Sequence, residues 1–113
     1  MLNEFELRQF TGTEHWYKHL SGYLYTDGVL YVAQGGGAFW LIDKILFTTK
    51  AKENLQEFGV WKLKVNEDKS AILICEDGNY NELYREKIEW TDFPLNNIEL
   101  WFENDVLILP SEH

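Results

Sequence analysis

The segment Ala38–Lys50, AFWLIDKILFTTK, decides the fold. Phe39, Trp40, Leu41, Ile42, Ile45, Leu46 and Phe47 place apolar side chains on almost every side of a helical turn. A helix that is hydrophobic all round is buried, not amphipathic. The segment therefore predicts one helix at the centre of the core. Asp43 and Lys44 mark its single wet edge, because an acid with no partner is rarely buried.

Working outward, YLYTDGVLYV before this helix reads as a hairpin. Asp27-Gly28 is a favoured two-residue turn, and Tyr, Leu and Val flank it. Gln34–Gly37 then breaks the strand. Further upstream, Thr11 and Glu14 have the spacing of a capping box, which predicts a short helix ending at Gly22 with Trp16 and Leu20 on one face. Residues 1–10 form a lead-in.

Downstream the pattern has period 2. VWKLKV puts Trp61, Leu63 and Val65 on one side and Lys62 and Lys64 on the other. AILIC is apolar on both sides, as a strand inside a sheet should be. ELYREKIEW puts Tyr84, Ile88 and Trp90 opposite Arg85, Lys87 and Glu89. IELWF and VLIL form a last hairpin around Asn104-Asp105. The expectation is an α+β fold in one compact domain, residues 1–113. It has an antiparallel sheet of about five to seven strands packed on one buried central helix, with a short N-terminal helix.

The single cysteine, Cys75, excludes an intrachain disulfide and reads as an inert buried thiol. No secretory leader opens the chain, and no apolar run is long enough to cross a membrane. These observations point to a cytoplasmic protein. Net charge is −9. Nearly all of it falls after Cys75, where ten acids face only Arg85 and Lys87. That imbalance argues against direct nucleic-acid binding, since phosphates need lysine and arginine opposite them. It is compatible with a partner that has a basic surface.

Three segments offer chemistry. His15 and His19 lie four apart in the expected N-terminal helix, a spacing that can share zinc. The residues between them are Trp16, Tyr17 and Lys18, and no third ligand accompanies them. His15 reads better as a hydrophobic-staple position, and His19 as a cation in a helix's last turn. Asp77, Asn79 and Asn81 match the first ligands of a calcium loop, but Glu82 and Ile88 stand where glycine and the bidentate glutamate belong. The Gly-rich turn before the helix at Ala38 lacks the lysine and hydroxyl of a phosphate-binding loop. No metal, cofactor or catalytic residue is assigned.

FTGTEHWYKH, YTDGVLYVA, AFWLIDKI, VWKLKV and EWTDFPL…LPSE together resemble a domain-of-unknown-function family of short proteins from bacteria and their plasmids and phages. The likeness runs from about Phe10 to Glu112. It implies a self-contained domain with no assigned activity and carries over no functional residue.

The absence of a complete catalytic constellation favours a non-catalytic, acidic protein-binding module. In a mobile-element setting it would inhibit a host defence or nucleic-acid-handling complex. Glu99, Trp101 and Glu103 share one side of their strand, and Glu89 is expected to join them from a neighbouring one. Carboxylates around an aromatic anchor are the expected contact. The alternative is a small-molecule binder or enzyme. Its pocket would lie between the Gly-rich turn and the first helix, with Asp43, Tyr17 and His19 as its polar groups.

Overall fold

A computed structural model of the chain describes residues 15–113. Among these residues the architecture is α+β, with two α-helices packed on a seven-stranded mixed sheet. The strands are β1 (Trp16–Lys18), β2 (Leu24–Thr26), β3 (Phe58–Val65), β4 (Ala71–Glu76), β5 (Glu82–Ile88), β6 (Asn97–Glu103) and β7 (Val106–Ile108). The helices are α1 (Asp27–Gly36) and α2 (Phe39–Ala51). Across the sheet the order is β1-β2-β7-β6-β3-β4-β5. All neighbours are antiparallel except β2 and β7, which run parallel.

The C-terminal strands form as their alternation requires. Trp61 and Leu63 of β3, Leu73 and Cys75 of β4, and Ile98, Leu100 and Phe102 of β6 all point to one side and are buried. Both helices contribute to the same core, through Val29, Val32 and Ala33 of α1 and Leu41, Ile42, Ile45 and Leu46 of α2. The helices therefore cover that side. Asn104 and Asp105, with φ of 52° and 64°, make the tight turn between β6 and β7.

The N-terminal part corrects several expectations. Residues 16–18 form a strand where a short helix was expected; Thr11 and Glu14 of the capping box lie outside the described residues. Asp27-Gly28 does not turn a hairpin but opens α1. Thr26 is its N-cap, and its hydroxyl accepts the Val29 amide at 3.3 Å. Gln34–Gly36 form the last turn of α1, and Gly37 in the left-handed region (φ 62°) stops it. Among the described residues the core thus rests on two helices where one was expected. α2 is not buried all round either: Phe39, Asp43 and Phe47, spaced one turn apart, are exposed. The sheet is mixed because β2 leads directly into α1 and lies beside β7 with the same direction.

Candidate functional site

The other side of the sheet is built from the alternate residues. Register sets Val60 beside Trp101, Lys62 beside Glu99 and Lys64 beside Asn97. On the far side of β3, Val60 faces Glu76, Lys62 faces Ile74 and Lys64 faces Ile72. No helix among the described residues covers this open face.

Glu99, Trp101 and Glu103 do share it, all half-buried. Trp101 Nε1 donates to Glu99 Oε2 at 2.7 Å, which fixes the indole plane. Its ring meets Phe58 at a centroid distance of 6.2 Å and His113 at 5.0 Å, both edge-on. His113 also lies 3.3 Å from Glu103. Glu89 does not join this group. It follows β5 at the edge of the sheet, with β3 and β4 between that strand and β6. Nor is the surface purely acidic, since Lys62 and Lys64 interleave with the carboxylates. The charge imbalance along the sequence is partly offset by register.

The loop after β4 adds what strand periodicity did not reveal. Asp77 accepts the amides of Asn79 (2.8 Å) and Asn81 (3.2 Å) and the Asn81 side chain (2.9 Å). These bonds, the Asn81 side chain first, hold its carboxyl below the usual range. The residues once matched to a calcium loop instead bond to one another. Their turn presents Tyr80, 83% exposed and with a left-handed φ of 67°. Tyr80 lies over the open face, with Lys62 Nζ 5.6 Å from its ring centroid. Lys62 also bonds Glu76 Oε1 at 2.8 Å. That bond is the largest cause of its raised pKa. Val60, Lys62, Glu76, Gly78, Tyr80, Glu99 and Trp101 enclose a cleft of about 220 Å³.

The alternative site residues are only partly brought together. His19 Nε2 lies 2.7 Å from Asp43 Oδ1, and His19 Nδ1 lies 2.8 Å from Ser21 Oγ. Serine, histidine and aspartate in series resemble a nucleophile relay, but the geometry is that of a clip. The Ser21 amide also points at Nδ1 (3.0 Å), the Gly22 amide is bonded to the His19 carbonyl, and Ser21 Oγ accepts the Tyr23 amide. The amides of Ser21, Gly22 and Tyr23 are thus engaged within the turn itself. The aspartate is the exposed member and the histidine the buried one, at 57% and 6% side-chain exposure. Asp43 is thus the wet edge of α2, and His19 ties the β1–β2 turn to it. Tyr17 stacks on Tyr25 instead, with centroids 5.6 Å apart.

His15 precedes β1 and His19 follows it, so neither has its expected helical position. Four steps of largely extended chain through β1 separate them by roughly 13 Å, too far to share a metal ion. Among the described residues no three histidine, cysteine or acidic side chains are grouped to hold one. Cys75 is buried in β4, and desolvation, with a smaller contribution from Glu76, pushes its thiol up to about 12. No helix among the described residues is long and apolar enough to cross a membrane.

The described residues define a two-layer α+β module in which the described helices cover one face of the sheet and leave the other bare. The chain belongs to the family described as "Family of unknown function (DUF6876)", whose model matches residues 1–113. Comparisons with curated proteins and with solved structures found no match.

Proposed function

We propose that this chain is a non-catalytic protein-binding module that uses the open face of its sheet against a partner with a basic surface. The observation that carries this reading is Trp101. It stands on a face that the described helices leave bare, held by Glu99 and flanked by Glu103. A fixed aromatic among carboxylates costs little entropy to bury and suits a contact centre. An extension of this reading is a mobile-element inhibitor of a host defence or nucleic-acid-handling complex in the cytoplasm. It is supported only by the acidic balance and the single cysteine.

The test compares the parent with a Glu99→Lys/Glu103→Lys variant as bait in a host lysate, with quantitative mass spectrometry. A protein retained by the parent, lost by the variant and bound again as a purified component supports the reading. Equal retention of every such protein by a folded variant overturns it. For the inhibitor reading, the recovered protein must also lose its own activity when the parent is added.

A further inference from the structure

The cleft between Tyr80 and Trp101 is a more specific feature than the open face around it. At about 220 Å³ it falls below the roughly 300–1,000 Å³ of small-molecule pockets. It is the size for one side chain. A cation already sits at its wall: Lys62 lies over the Tyr80 ring and bonds Glu76. Glu76 bonds Lys62, and Glu99, its neighbour across β3 and β6, also acts on that ammonium. Glu99 uses Oε2 for the Trp101 indole, and its Oε1 has no hydrogen-bond partner among the described residues. The cleft therefore has an aromatic wall and two carboxylates, Glu76 and Glu99, against the one ammonium of Lys62, a net negative charge. Tyr80 is held outward on a left-handed backbone, a conformation that costs energy for a residue with a side chain. The Asp77 turn bears that cost by bonding Asn79 and Asn81.

We propose that this cleft receives one arginine side chain of a protein partner, with the guanidinium against Tyr80 and its N–H groups on Glu99. Arginine fits better than lysine, because a planar guanidinium stacks on an aromatic ring and still donates in its own plane. The proposal rests on the open face being the binding surface and names the group it takes.

The experiment follows the Trp101 indole N–H by ¹H–¹⁵N NMR, assigned by its loss in Trp101→Phe. The probe is the capped tripeptide Gly-Arg-Gly, beside the same peptide with lysine and with neutral citrulline. The arginine peptide is expected to shift the Trp101 signal saturably, with a dissociation constant on the order of 1 mM. Lysine is expected to bind at least threefold more weakly, and citrulline not at all. Tyr80→Ala, at an exposed residue, and Glu99→Gln, which keeps an acceptor for the Trp101 indole, should keep their thermal unfolding within a few degrees and each weaken the arginine peptide at least threefold. No saturable shift overturns the proposal, as does an equal response to citrulline or an unchanged affinity in both variants. If the arginine peptide fails while the lysate partner still depends on Glu99 and Glu103, the cleft falls and the binding face stands. If both fail, the face itself is not the binding surface.

Discussion

The two sides of β3, β4 and β6 are made from alternate residues of the same strands, yet they are different materials. On the helix side Trp61, Leu63, Leu73, Leu100 and Phe102 are at most 1% exposed. On the open side Lys62, Ile72, Ile74, Glu99 and Trp101 are only partly covered. The helix side is where stability resides, because removing an atom there leaves a void. The open side tolerates change, because water replaces what is lost. A sheet can therefore keep one face for folding and vary the other for recognition without moving its backbone.

The strongest way to test this contrast is a large truncation on the helix side. Phe102→Ala is expected to lose about 3–5 kcal/mol of unfolding free energy in a denaturant titration. A loss under about 1 kcal/mol would mean that Phe102 is not core. Gly59 tests the same side from the opposite direction. A Cβ there would stand 2.8 Å from Cys75 Sγ and 3.1 Å from Trp61 Nε1, with no room to spare. Gly59→Ala is expected to cost about 1–3 kcal/mol by overpacking, read as a lower thermal midpoint.

The next effect uses pH. The folded thiol of Cys75 is raised to about 12 from an ordinary 9.0. An unfolded chain ionises first, so it binds fewer protons than the folded one above pH 9. The thiol's contribution is full below that pH and is lost as pH rises through the window from 9.0 to about 12, by about 1.4 kcal/mol per unit. A Cys75→Ser variant should show a flatter alkaline limb, and an equal slope in both would remove the thiol as its cause. The smallest effect belongs to the open side. Glu99→Gln is expected to change stability by less than about 0.5 kcal/mol while altering the Trp101 indole resonance. A loss above about 2 kcal/mol would break the contrast.

The strands from Phe58 onward were legible because their period-2 pattern is matched by burial on one side only. Lys62 and Lys64 alternate with Trp61 and Leu63, and the structure places them on opposite sides. Helix α1 was misread because Tyr31, Val29 and Val32 favour strands, and Asp-Gly favours a tight turn. The signal that could have found it was spacing. Val29, Val32, Ala33 and Gly36 follow the three-and-four rhythm of a helix, and all four are buried. Thr26 before Asp27 was also a readable cap. Of the site, Glu99, Trp101 and Glu103 were legible as sharing a strand side. Lys62 and Tyr80 were not, because a register and a loop conformation bring them there, and neither is a local property of sequence. Glu89 was misplaced for the same reason: which strands are neighbours is a long-range fact. Phe93, 2% exposed in what reads as a loop, was missed because a single aromatic has no period.

Glu112 closes the molecule. Its carboxylate accepts the Thr26 hydroxyl at 2.6 Å and the Leu109 amide at 2.9 Å, and the Gly28 amide approaches at 3.3 Å. Gly28 is bare where a Cβ would meet that carboxylate at 2.6 Å. Thr26 and Glu112 are 86 positions apart in the chain. The β1–β2 pair likewise joins the rest of the sheet only through β7. During synthesis, therefore, β1 and β2 can pair with each other early, but their docking onto the rest of the sheet must wait for β7 and the segment that carries Glu112. The antiparallel block of β3, β4 and β5 needs no such delay, since each strand pairs with the one just made. Assembly is then ordered in time, with the local meander first and the early strands recruited last, because distant contacts repay their loop-closure entropy only when both ends exist.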